Sequence, residues 1–253
     1  MANSYGKLSA EVYEIDKDID RSYSDVDYYY ERLKDVRGKI LEPAAGNGRI
    51  LIPLLEKGLD IEGFDFSEYM LALLKENCRK KGLDPKIYQL DMTNFSLDQT
   101  YGAVIVPIGS FLLLDELEKA MAALTCFYQH LENNGKLILD IFLPESFEKG
   151  FVGERIFTNA QNDLITLEEK LVKVDPIKQV ITYHNRYEKY QEGKMTESEL
   201  EIFPLKWYGV EEFRLLLEKV GFKDIVVSAD HHFREYPQNN SQTITFEATK
   251  IIE

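Results

Sequence analysis

Between Gly38 and Phe142 the chain alternates repeatedly between short apolar runs rich in β-branched residues and longer stretches of helical period. No other feature constrains the fold as strongly. Neighbouring parallel strands need a crossover connection, and a helix packed on the sheet is the usual one. Lys39–Glu42 reads as the first strand and Arg49–Glu56 as the first helix, with Pro53 near enough to its start to be tolerated. Asp60–Asp65 reads as the second strand. The next helix opens at Ser67, a good N-cap, and sets Met70, Leu71, Leu74 and Cys78 on one face. Lys86–Leu90 and Ala103–Pro107 are further strands, followed by a helix over 115–130 and the strand Lys136–Phe142.

After Pro144 the rhythm changes. Leu164–Val174, Gln179–Tyr190 and Met195–Leu205 are long alternating runs, separated by the turn pairs Asp175-Pro176 and Glu192-Gly193. They predict an antiparallel β meander inserted as a cap over 150–206. Helical period returns at Val210–Val220 and stops at Gly221, and strands near 223–228 and 242–251 predict a C-terminal antiparallel hairpin. Residues 1–38 are polar and tyrosine-rich, with a helix expected over 25–34 capped by Ser24 or Asp25.

The chemistry concentrates at the ends of the first three strands. In Ile40-Leu41-Glu42-Pro43-Ala44-Ala45-Gly46-Asn47-Gly48-Arg49 a strand ends in an acid, turns through small residues and enters a helix. Gly46 and Gly48 allow backbone conformations and a close ligand approach that a Cβ would block. A dinucleotide site needs a third glycine, but position 51 is Leu, and Glu42 would repel a pyrophosphate. The same carboxylate suits the amino group of an amino-acid-like ligand. Asp65 ends the second strand, where it suits a pair of ribose hydroxyls or serves as a turn or cap residue. Asp91 follows the third strand, placed to accept from an adenine amino group or to cap a turn, with Met92 or Phe66 covering the ring. Ligands of open α/β sheets bind beyond the carboxyl ends of the strands, so three such acids in succession point to one adenosine-bearing ligand.

On these residues the run from Leu41 to Phe142 resembles the Rossmann-like (class I) superfamily of methyltransferases dependent on S-adenosylmethionine (SAM). The glycine-rich segment matches Glu42 through Gly48, the ribose acid Asp65, and the adenine-contacting pair Asp91-Met92. Val104 through Ser110 resembles the fourth-strand segment that passes beneath the methionyl part of the cofactor, which includes Ile108. Trp207-Tyr208-Gly209 through Gly221-Phe222 resembles the small-molecule branch, which includes amino-sugar N-methyltransferases. The resemblance implies an α/β fold: a seven-stranded, mostly parallel sheet with helices on both faces. It divides the chain into an N-terminal helical lid segment, 1–38, and a methyltransferase domain, 39–253. It also implies in-line methyl transfer to a small-molecule N or O acceptor, with S-adenosylhomocysteine (SAH) as product. Ala44 and Met70 join the cofactor-binding set. Ala44 and Ala45 depart from the family's Gly and its Cys or Ala, and Pro107-Ile108 stands where base N-methyltransferases carry an Asp/Asn-Pro-Pro-aromatic motif.

Related enzymes use the N-terminal region as a lid with an aromatic near the methyl, which by position selects Tyr13, with Arg21 as a carboxylate partner. His184 shares a strand face with Thr182, Arg186 and Glu188; it is a base if that face covers the cofactor, but a partly exposed strand histidine is preferred. His231-His232 reads as loop surface rather than a metal pair, and no metal site is expected. Two cysteines in helical stretches and the absence of a signal-peptide pattern suggest a cytoplasmic protein. No apolar run nears the roughly 20 residues of a membrane span. A net charge of −14 argues against nucleic acid as acceptor. A monomer or homodimer is expected. A non-catalytic SAM-binding module and a nucleotide-dependent oxidoreductase are the competing readings.

Overall fold

The computed structural model describes residues 5–252, so residues 1–4 and 253, at the outer ends of the two expected segments, lie outside it. Five parallel strands form the centre of the main sheet: β1 (Ile40–Pro43), β2 (Ile61–Asp65), β3 (Ile87–Gln89), β4 (Tyr101–Val106) and β5 (Leu131–Ile141). The hairpin of β10 (Phe222–Ala229) and β11 (Ile244–Lys250) adds an edge, with β11 antiparallel to both neighbours. The order is β10-β11-β5-β4-β1-β2-β3. The chain builds outward on one side from β1 and then on the other from β4, which makes the β1/β4 boundary the topological switch point.

Side chains alternate across the pleat, and the sheet therefore feeds two cores. Val104, Val106, Leu137 and Leu139 pack with α5 (Leu117–His130) and α6 (Val210–Val220) on one face. Ala103, Ile105 and Ile138 pack on the other with α2 (Ser24–Leu33), α3 (Leu51–Glu56) and α4 (Glu68–Lys81). Burial on both faces is why β4 reads as an unbroken apolar run. Ser67 caps α4 by accepting the Met70 amide. No described helix is long and apolar enough to cross a membrane.

Between β5 and α6 the chain forms a second sheet, ordered β6-β7-β8-β9: β6 (Val152–Thr158), β7 (Leu164–Asp175), β8 (Val180–Gln191) and β9 (Lys194–Lys206). The meander was legible in the sequence except for β6. That edge strand buries almost none of its side chains and so lacks a strong alternation. A helix the sequence reading missed, α1 (Lys7–Asp16), lies between α4 and the second sheet. Its Leu8 and Val12 pack on Ile165, Leu167 and Tyr187. The start of α2 also differs: Tyr23 is the N-cap and no side chain caps it, because the Asp25 carboxylate pairs with Arg49 instead.

Candidate active site

The loops beyond β1, β2 and β3 and the turn after β4 converge on a cavity of about 320 Å³ lined by Ala44, Gly46, Asp65, Phe66, Met70, Asp91 and Met92. Tyr13 closes it from α1. Within the β1 turn, Ala44 (φ 56°), Gly46 (φ 57°) and Gly48 (φ 91°) all adopt left-handed backbone. The two glycines do different work. The Gly46 amide donates to Asp65 Oδ2 at 2.9 Å, and a Cβ on Gly46 would meet only the Tyr13 ring, at 4.0 Å. A Cβ on Gly48 would lie 2.5 Å from Leu74 Cδ1 and 2.8 Å from Ile52 Cδ1. Gly48 therefore seats the turn on α4 and does not line the cavity, contrary to the sequence expectation of ligand approach there.

Asp65 holds the turn from the next strand. Its Oδ1 accepts the Ser67 amide at 2.8 Å while Oδ2 takes Gly46, leaving each oxygen a further lone pair. Burial pushes this carboxyl up and the backbone amides pull it back down. Asp91 Oδ1 accepts both the amide and the hydroxyl of Thr93 at 2.8 Å, a local turn that leaves Oδ2 without a hydrogen bond among the described residues. Glu42 lies behind the turn, 2% exposed, and its Oε2 has no hydrogen-bond partner among the described residues. Burial holds its carboxyl well above the ordinary value, against the opposing pull of Arg49. Arg49 is committed to Asp25, with Nη1 3.2 Å from Oδ1.

A second cavity, of about 630 Å³, opens beside the first and shares Tyr5, Tyr13, Ser110 and Leu113 with it. Ile108 lines it with a left-handed backbone (φ 59°), its amide donating to Asp140 Oδ2 at 3.0 Å. The far wall is the inner face of the second sheet. Tyr5 and Tyr13 stand edge to face between the cavities, their ring centres 5.4 Å apart.

The N-terminal stretch is tied down from both sides. Glu199 accepts the Leu8 and Ser9 amides at 2.9 and 3.2 Å, and Glu201 accepts the Tyr5 amide at 2.7 Å. Ser67 Oγ donates to the Tyr5 carbonyl at 2.7 Å, and Glu14 accepts from Asn47 of the β1 turn at 2.8 Å.

Three residues weighed in the sequence lie outside both cavities. Ile181, Tyr183, Asn185 and Tyr187 line cavities from β8, so alternation puts His184 on the opposite, outward face. Arg21 is exposed, lines neither cavity and, among the described residues, donates only to the Asp16 carbonyl, at 3.5 Å. His231 is not loop surface. It packs on Tyr28, 5.3 Å between ring centres, with Nε2 3.7 Å from Asp140 Oδ2. Asp140 and the nearby Asp25 and Asp230 raise its pKa against the opposing effect of burial. The sequence reading missed Tyr5, Ser110, Asp115 and Lys119, all of which line the first cavity. Asp115 and Lys119 carried a signal, the i,i+4 spacing of an ion pair (3.3 Å) at the start of α5.

Residues 40–135 match the family described as "Methyltransferase domain". A glycine/sarcosine N-methyltransferase of Aphanothece halophytica is 27% identical over 218 residues, which is 83% of this chain and 76% of that one. A dTDP-amino-sugar N,N-dimethyltransferase of Streptomyces venezuelae is 32% identical over 114 residues, 45% of this chain and 46% of that one. Among solved structures, a sugar N-methyltransferase of Streptoalloteichus superposes with a TM-score of 0.76 at 18% identity, covering 100% of this chain and 96% of the other. Residues 40–135 thus form a methyltransferase domain, and the chain has the fold of solved SAM-dependent methyltransferases. The matched part of the chain holds the β1 turn, the acid that ends β2 and the acid after β3, whereas α1 and the second sheet lie outside it. The second cavity draws most of its wall from that unmatched part.

Proposed function

We propose that this methyltransferase moves the methyl group of SAM onto the nitrogen of a small-molecule amine, releasing SAH. In this reading Glu42 receives the amino group of the cofactor, Asp65 the ribose hydroxyls and Asp91 the adenine amino group. Gly46, Ala44 and Ile108 offer backbone, and Phe66, Met70 and Met92 offer apolar cover. The observation that carries it is the unpaired, buried Glu42 Oε2 beside a turn whose other acids keep free acceptor capacity. A buried carboxylate oxygen without a donor is costly, and a ligand ammonium relieves that cost. A pyrophosphate at the same turn would meet the Asp65 carboxylate with the buried Glu42 behind the turn, which disfavours the oxidoreductase.

Bound SAM supplies a methyl already activated by the sulfonium. The protein's part is to bring acceptor and methyl into line, an effect worth about 7–11 kcal/mol in well-oriented systems. Nitrogen is favoured over oxygen because no imidazole and no ionised phenol faces the cavities. Burial pushes the Tyr13 hydroxyl up to about 12 and the Tyr5 hydroxyl well above its ordinary value, so both stay protonated. None of the four histidines lines either cavity. A neutral amine needs no base, since its lone pair forms the new bond and the proton leaves afterwards to water, whereas an alcohol needs one. The joined second cavity supports turnover over a binding-only module. The strongly acidic chain favours a small acceptor over nucleic acid, and the free thiols Cys78 and Cys126 suit the cytoplasm.

Calorimetry with SAM and with NAD(H) tests the reading. SAM should bind and NAD(H) should not; tight NAD(H) binding with indifference to SAM would end it.

A further inference from the structure

We infer that the second cavity accepts an amine carried on an apolar or aromatic body and rejects acceptors bearing a carboxylate or a phosphate. The inference rests on the SAM reading of the adjoining cavity. Its walls come from three places: Phe142 and Phe151 after β5, Ile181 and Tyr183 on β8, and Phe203 on β9 with Trp207 just beyond its end. Among the described lining residues only Lys206 and Glu145 carry charge. Lys206 is 6% exposed, donates to the Lys178 carbonyl at 2.5 Å and lies 5.3 Å from the centre of the Tyr208 ring. Neither partner neutralises that charge, but together they hold the ammonium at the Lys178 turn and the buried Tyr208, and alternation along β9 sets Lys206 opposite Leu205 and Phe203, which line the cavity. Glu145 is exposed and forms none of the described hydrogen bonds or ion pairs, so the free charge at this cavity is negative.

An acceptor's carboxylate or pyrophosphate would here lose water without gaining a cation, which costs several kcal/mol. The chain's net charge of −14 adds repulsion at long range. An amine fits on both counts. Its apolar body gains from burial among the rings, and its nitrogen becomes cationic as the N–C bond forms, next to the faces of Tyr5 and Tyr13. This separates the protein from two relatives whose names specify glycine and a nucleotide-linked sugar as acceptors, although it resembles both in sequence.

Trp207 is the chain's one tryptophan and lines the cavity, so its fluorescence reports occupancy without turnover. The protein with SAH bound is titrated with phenethylamine, glycine and a dTDP-linked amino sugar. Phenethylamine should give saturable quenching at least about ten-fold tighter than either of the others. Glu145→Lys and Phe151→Ala, both at exposed positions, should each weaken it by about ten-fold while leaving SAM calorimetry unchanged. Tighter binding of glycine or the nucleotide sugar, or no saturable quenching by phenethylamine, overturns the inference. The SAM titration separates this failure from failure of the cofactor reading, because it needs no acceptor.

Discussion

Gly46 and Gly48 stand two residues apart in one turn, and alanine at each should do different damage. At Gly48 (φ 91°) the new methyl meets Leu74 Cδ1 at 2.5 Å and Ile52 Cδ1 at 2.8 Å. Left-handed strain costs about 1–2 kcal/mol and overpacking about 1–3, offset by about 0.4–1 from a stiffer unfolded chain. The net loss of stability is about 2–4 kcal/mol. At Gly46 (φ 57°) the nearest atom to the methyl is 4.0 Å away, so only the strain remains and the net loss is about 1 kcal/mol. That methyl, however, projects beside the cavity and should cost about ten-fold in SAM affinity by displacing the ligand from the turn. Urea unfolding of the free protein measures the first quantity and calorimetry with SAM the second. Equal stability losses, or a Gly46→Ala protein that binds SAM as tightly as the parent, would refute the division of labour.

Asp65→Asn removes one charge-assisted acceptor and turns an amide NH₂ toward the Gly46 or Ser67 N–H. SAM should bind about 10- to 150-fold more weakly, measured by calorimetry, with some loss of stability from the donor–donor contact. Glu42 has a carboxyl raised by burial, so the folded protein holds a proton the unfolded chain has lost above pH about 4.5. Its contribution to stability therefore falls as pH rises above that value. Glu42→Gln should flatten the pH dependence of the melting temperature in the cofactor-free protein, stabilise it at neutral pH and weaken SAM; an unchanged pH profile would refute this. Ala44→Gly relieves a left-handed alanine (φ 56°) and should raise stability by about 0.5 kcal/mol in urea unfolding, strain relief exceeding the added chain entropy.

Much of the main sheet was legible because its strands are buried on both faces and its helices carry single apolar stripes. Ser67 capped α4 and Gly221 ended α6 as their types predict. The acids could be read as a set because parallel strands all end on one side. The lid could not. The start of α1 carries no capping side chain, and the Leu8 and Ser9 amides there are donated to Glu199, nearly two hundred residues away in sequence. His184 shows the limit of reading one strand by itself. Alternation puts Thr182, His184 and Arg186 on one face, but only packing decides which face turns inward. His231 looked exposed in a polar loop; its partners Tyr28 and Tyr29 on α2 and Asp140 on β5 come from two distant segments.

A crystal structure with SAH bound tests the cofactor assignment most directly. The account predicts Glu42, Asp65 and Asp91 each within about 3 Å of the amino group, ribose hydroxyls and adenine amino group respectively. A ligand seated elsewhere, or one that leaves the Glu42 carboxylate unpaired, would contradict it.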